Sequence, residues 1–454
     1  MLNYYPGLSK VKHALTRQIL LGNEPSPELI AIITIYFIQG VLSLSRLAVS
    51  FFLKDELLFS PAQMSVIIGI ATIPWMIKPF YGFISDSLPI LGYHRKPYII
   101  LSGILGSAAW ISLATIVHDG GMATIMILLS SISVAISDVI IDSIVVERAR
   151  LESDAKIGSL QSLSWGSNAI GSLCTAYFSG LLLEYFSTRT VFLITAIFPL
   201  IISSVGLLIN ENPTNKEEKK NNTSIKQQIQ LIGQGITQKS IWIPTLFIFL
   251  WHSTPSSESA FFYFTTNELH FDPEFLGRVR LVTSVASLIG VWAFQKYFKK
   301  IPFKVIFTWG ILICTSLGMT TLILVTHTNR MLGIDDHWFS LGDNLIIAVI
   351  GQIVFMPVLV LATKLCPPGI EATFFALLMS ILNLGGTVSY GLGSLIMQWL
   401  GITEHNFDYL WLLIIIANGS NLLPVLFVKW LPEPRLDDNN FSDNKPNNNQ
   451  VLGG

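Results

Sequence analysis

Asp138 and Asp142 stand four residues apart in the apolar run "SSISVAISDVIIDSIVV", so on a helix both carboxylates share one face. A buried carboxylate can neutralise a cation, grip a hydrogen-bond donor or carry a proton. Lys78, at the end of another apolar run, falls at comparable depth if both runs span one slab. The expected arrangement pairs Lys78 with one aspartate and leaves the other for substrate or a proton. The competing reading is an ion pair that only fixes helix packing.

Seven ionisable residues stand out inside apolar runs: Arg46, Lys78, Asp138, Asp142, Glu258, Arg278 and Arg280. In a bilayer each central charge costs roughly 2.5–3.5 kcal/mol, on the order of 15–20 kcal/mol for the set, so they require partners or a wet cavity. Lys78 and Arg278 lie nearer the ends of their runs and can also snorkel to the interface. Arg46 and Arg280 each offer a bidentate fork to a carboxylate, and Arg280 is read as the counterpart of Arg46 in the other half of the chain. Their alternative partner is Glu258.

Other chemistry lacks residues to run on. The chain has no G-x-x-x-x-G-K-S/T phosphate loop and no H-E-x-x-H, and none of its eight histidines are four apart. "YGLGSLI" carries two glycines of the dinucleotide pattern without the third. Cys174, Cys314 and Cys366 are far apart and give no metal spacing. An enzyme, a cofactor and a metal centre are therefore not expected. A net charge of −1 points to no nucleic-acid partner.

The elements that must position these charges span a membrane. The composition is 51% hydrophobic and 13% charged, and runs of about 20 apolar residues recur along the chain. Twelve spans are predicted, near 28–53, 61–84, 97–117, 121–146, 158–183, 188–209, 241–266, 273–295, 302–326, 341–365, 371–400 and 406–430. Lysines and arginines crowd one set of loops, and the other set carries only Lys54, Arg189 and Arg330, which predicts that both termini are cytoplasmic. The polar stretch "NENPTNKEEKKNNTSIKQQIQ" divides the spans six and six. The expected units are an N-terminal bundle over 1–209 that opens with a short amphipathic segment, a cytoplasmic linker over 210–240, a C-terminal bundle over 241–430 and a tail over 431–454. The halves echo one another. "FSP" (Phe59 to Pro61) and "FDP" (Phe271 to Pro273) open spans two and eight, and "SNAIG" (Ser167 to Gly171) has a loose partner in "LNLGG" (Leu382 to Gly386).

The turn between spans two and three is unusually charged. Gly82 and Asp86 are followed, after a gap, by Arg95 and Lys96, which resembles the G-x-x-x-D-x-x-G-x-R-K/R loop of the major facilitator superfamily with an insertion before the basic pair. That resemblance implies a cytoplasmic gate in which Asp86 meets the start of span eleven, near Glu371, with Gly82, Arg95, Lys96 and Arg148 around it. The longer string "PWMIKPFYGFISDSLPILGYHRKPYIILSG", with "SDVIIDSIVVERAR" in span four, resembles the folate-biopterin transporter family. The likeness is densest over residues 28–160. It implies an all-α polytopic membrane protein of two six-helix bundles, the major facilitator fold. It also implies alternating-access movement of folates or pteridines, either proton-coupled or facilitated, with proton coupling the expected mode.

Under that resemblance Arg46 and Arg280 would hold the glutamate tail of a folate, and Asp138 and Asp142 would couple protons. Glu258 or Asp142 would grip the amino-pyrimidinone edge of the pterin ring, and Tyr36, Trp75, Trp165, Trp251 and Phe261 to Phe264 would offer faces to it. Lys78 and Trp75 join the substrate-binding set, and His252 reads more simply as an interior histidine. The alternative is a facilitator-type carrier for another organic anion or small solute. The expected setting is a monomer in the lipid bilayer of a cell (inner) membrane, with a plastid envelope as the alternative.

Overall fold

The computed structural model describes residues 20, 23, 25–149, 159–211, 213, 239–298, 300–365 and 371–431. The amphipathic opening segment, most of the 210–240 linker, Cys366 and nearly all of the 431–454 tail lie outside the described residues. The regular structure of the described residues is helical apart from one isolated bridge between Ile90 and Tyr93, with turns and irregular backbone joining the helices.

The elements in order are α1 (Pro27–Glu56), α2 (Pro61–Met76, bent by 40° into Lys78–Ser87), α3 (Lys96–Thr115), α4 (Gly120–Ala149), α5 (Ser159–Tyr185) and α6 (Thr188–Gly206). Six more follow: α7 (Lys239–His252, broken, then Glu258–Tyr263), α8 (Pro273–Phe298), α9 (Phe303–Val325), α10 (Asp336–Leu365), α11 (Glu371–Trp399) and α12 (Leu410–Trp430). Among the described residues nine of these are long and apolar enough to cross a membrane, or ten with the bent α2. The other two are α5, rich in serine and glycine, and α7, interrupted around Pro255. Both fill positions expected for spans. The all-helical, polytopic expectation holds.

The breaks have local causes. Pro79 has no N–H to continue the ladder to the Trp75 carbonyl, so α2 bends at Ile77 and that carbonyl is left free. Asn383 of α11 fills the gap, its Nδ2 donating to Trp75 O at 3.2 Å.

The two halves repeat in detail. α1 ends in a π-helical turn over Phe52–Glu56, and α7 is followed by one over Phe264–Glu268, 212 residues later. Leu58 and His270 then both take φ of 54°, and Ser60 and Asp272 cap the next helices by accepting from Gln63 N and Phe275 N. "FSP" and "FDP" are thus the same start signal, an N-cap followed by proline at N1. Gly171 of α5 faces the Phe37 carbonyl as Gly385 of α11 faces that of Phe249, and Phe37 and Phe249 are again 212 apart.

Small residues let the halves approach. α5 packs on α1 and on α8, and a Cβ added to Gly180 would fall 2.1 Å from the Pro273 carbonyl oxygen. α2 runs antiparallel to α11 through Ser65 Oγ donating to Tyr390 O at 2.9 Å and Thr72 meeting Thr387 at 2.6 Å.

Candidate functional site

Three groups of charges emerge. In the first, Lys78 forms an ion pair with Asp138, and both side chains are less than a fifth exposed. The bend at Ile77 places Lys78 at the start of a new helical segment, turned toward α4. Its Nζ also lies 4.5 Å from the Trp75 ring centroid, a cation–π contact. Asp142, one turn beyond Asp138, accepts a hydrogen bond from the Tyr36 hydroxyl of α1. The group holds two carboxylates against one ammonium.

The second group joins the halves. Arg46 of α1 is exposed although it lies deep within a span, as is Glu258 at the restart of α7. Arg46 and Glu258 are the charged groups whose fields reach Arg280, which is half-buried on α8. Neither guanidinium forms an ion pair within 4.0 Å among the described residues. Glu258 accepts instead from the Tyr390 hydroxyl at 2.9 Å. The alternative pairing of the arginines with Glu258 is therefore not made among the described residues, and two cations share the neighbourhood of one carboxylate. The 212-residue register also gives Arg46 a different counterpart, which is Glu258 and not Arg280.

Arg278 stands apart. It is 56% exposed and pairs with Glu274 at 2.6 Å, one turn earlier on α8. Glu274 also accepts from Tyr177 of α5 at 3.0 Å, a bond between the halves.

The third group lies at the end that carries the charged turn. Arg95 donates to Asp86 at 2.6 Å, Ser85 at 3.0 Å and Glu147 at 3.0 Å. Burial works against its charge, and the carboxylates of Asp86 and Glu147 more than offset this, holding its pKa above the usual arginine value. Arg148 ties α4 to the start of α1 through Glu28 at 3.1 Å and Ser26 at 2.9 Å. The insertion noted in the sequence is a tight turn, with Leu91 and Gly92 both at positive φ between the reciprocal hydrogen bonds of Ile90 and Tyr93. Gly82 packs toward Val139 of α4. Asp86 was expected to meet the start of α11 near Glu371; residues 366–370 just before it and the side chains of 371–374 lie outside the described residues.

Some members of these groups gave no sequence signal. Glu211, just past α6, accepts from the backbone N–H groups of His94, Arg95 and Lys96 at 2.5–3.1 Å and so caps α3. Asp343 was not among the charges singled out, yet it lies within α10 and accepts from Thr320 and, at 3.1 Å, Thr321. Tyr390, which gave no signal, and Tyr36, read from sequence only as a ring face, are the hydroxyl partners of Glu258 and Asp142. Trp251 packs on an apolar cluster of the second half, and Trp165 is 63% exposed on α5.

At the end opposite Arg95 the halves are joined. Lys54 donates to Asn267 at 2.7 Å beside the rings of Phe51 and Tyr263, and the Tyr263 hydroxyl donates to the Phe59 carbonyl. The ion pairs described at the Arg95 end, by contrast, stay within one half.

Residues 39–451 match the family model described as BT1 family, nearly the whole chain. The chain belongs to the BT1 family. A folate-biopterin transporter from Synechocystis sp. is 58% identical over 438 residues, covering 96% of this chain and 88% of that protein. Folate transporter 2 of Plasmodium falciparum is 32% identical, covering 87% and 86%. Among solved structures, this BT1 protein aligns with a D-xylose-proton symporter at a TM-score of 0.65 and 15% identity, over 89% of this chain and 98% of that one. It aligns with the nucleoside transporter NupG at 0.67 and 15%, over 88% and 98%. These likenesses bear out the major facilitator fold and the folate-biopterin transporter family. The relatives are transporters and not enzymes, and the BT1 protein is a multi-pass membrane protein.

Proposed function

We propose that the protein carries folates and pteridines across a membrane by alternating access, driven by a proton gradient. The observation that carries this reading is the central group: Arg46 and Arg280, without ion-pair partners among the described residues, near the carboxylate of Glu258. One cation in excess within the spans suits an anionic substrate such as a folate tail. The relative named folate-biopterin transporter, at 58% identity, supports the substrate class.

The Lys78 group has the opposite imbalance. Its extra carboxylate can take one proton without leaving a net buried charge, and a proton at Asp138 would release Lys78. That release loosens α2 from α4, and α2 is also the helix zipped to α11. Binding and helix movement would thus share one element. With the Arg95 end cytoplasmic, the Lys54 and Tyr263 contacts close the outer face and the substrate enters or leaves from the inside. The protein works as a monomer in the cell (inner) membrane with both termini cytoplasmic.

The test is uptake of labelled folate into proteoliposomes, with and without an inward proton gradient and with excess biopterin. Gradient-stimulated uptake that biopterin blocks is the expected result. Uptake indifferent to the gradient would overturn the coupling, and no uptake of folate would overturn the substrate class.

A further inference from the structure

The second half holds a half-open cavity of about 340 Å³ between α7, α9, α10, α11 and α12. Its size falls within the range of small-molecule sites. No aspartate, glutamate, lysine or arginine lines it, so it favours a neutral group over a carboxylate. It nonetheless adjoins the central charges, because Tyr390 lines it and sends its hydroxyl to Glu258.

The walls have the character of a slot for a flat, polar-edged ring. The rings of Trp251 and His252 stand 6.0 Å apart and tilted by 34°, at the break of α7. Gly351 of α10 lines the cavity, and a Cβ there would meet nothing within 4 Å, so the space is open and not merely thin-walled. The polar atoms are part-committed. Asn421 Oδ1 accepts from Thr254 at 2.7 Å, which orients the amide and leaves its Nδ2 to donate. Ser389 donates to the Thr254 carbonyl at 2.5 Å and keeps its oxygen lone pairs. The His252 side chain, which lines the cavity, makes no hydrogen bond among the described residues. A histidine left unpartnered in a membrane span is costly unless water or a ligand meets it.

Resting on the substrate reading above, we propose that this cavity takes the neutral bicyclic heteroaromatic ring of the substrate, with Trp251 against its face and His252 and Asn421 on its edge. The arginines hold only the anionic tail. This assigns ring recognition to the uncharged pocket and not to Glu258 or Asp142, and it divides one substrate between two neighbouring sites.

The experiment measures binding of folate, of biopterin and of p-aminobenzoylglutamate, the tail without the pterin, to the full-length protein in lipid nanodiscs. Three proteins are compared: the unaltered chain, Gly351→Val and Arg46→Ala. Gly351→Val places its Cβ in open space and its methyls toward the cavity, and is expected to weaken both ring-bearing ligands while sparing p-aminobenzoylglutamate. Arg46→Ala is expected to weaken folate and p-aminobenzoylglutamate and to spare biopterin. His252→Ala, as a second variant, should lose about tenfold in affinity for biopterin, the scale of one hydrogen bond in a dry site. Unchanged biopterin affinity in both Gly351→Val and His252→Ala, with the unaltered protein binding normally, would overturn the pocket alone. No ring-bearing ligand bound by the unaltered protein would overturn the substrate reading and this one with it.

Discussion

Arg46 and Glu258 occupy the same position in the two halves, 212 residues apart, in the register set by the paired π-helical turns. A repeat that places a cation on one half and a carboxylate on the other gives the interior two unlike walls. Arg280 breaks the symmetry, since its equivalent in the first half by that register is Ile68.

The arginine wall gives the first prediction. Loss of a hydrogen bond to a charged group costs about 1.5–3 kcal/mol, so Arg46→Ala should lower affinity for folate by roughly 10–150-fold. Arg46→Lys should recover only part of this, because an ammonium lacks the planar fork. Substrate-dependent uptake rates in proteoliposomes check both.

Removing one partner of the Lys78–Asp138 pair strands the other charge in the span. Lys78→Ala should cost about 3–5 kcal/mol of stability. The double variant Lys78→Met with Asp138→Asn should recover most of it, yet lose gradient-driven accumulation. Thermal unfolding in detergent read beside uptake separates the structural role from the coupling role. Full proton-driven uptake in the double variant would contradict the coupling role.

Glycines set how closely the halves pack toward the Lys54 end. Gly180→Leu would press against the Pro273 carbonyl and the backbone of Gly277, so α5 and α8 must separate. A cysteine placed at Thr265, which is 4% exposed, is expected to react faster with a membrane-impermeant thiol reagent in that variant. The native cysteines would first be replaced by serine.

Glu211 offers a cleaner case. Its carboxylate serves three successive backbone N–H groups at the start of α3, so Glu211→Ala should cost about 0.5–2 kcal/mol, the range for a lost cap. Glu211→Gln keeps an acceptor oxygen and should lie between the two. Melting temperatures of the three proteins test the order.

The sequence by itself determined the elements. Long apolar runs, broken by prolines and flanked by lysine and arginine, leave a chain no stable choice in a bilayer other than spanning helices. The cost of charge in hydrocarbon likewise made Asp138, Lys78 and Arg46 legible as functional candidates, because a buried charge needs a reason. "FSP" and "FDP" carried the repeat, since an N-cap followed by proline is a local signal. Tertiary structure decided the pairings. Which acid Lys78 would take, that Tyr36 would hold Asp142, and that Glu258 would turn to Tyr390 and not to an arginine all depend on helix rotation and on the bend at Ile77. Glu211 and Asn383 were invisible for the same reason: each satisfies a backbone group on another helix, and such a debt appears only once the helices are packed.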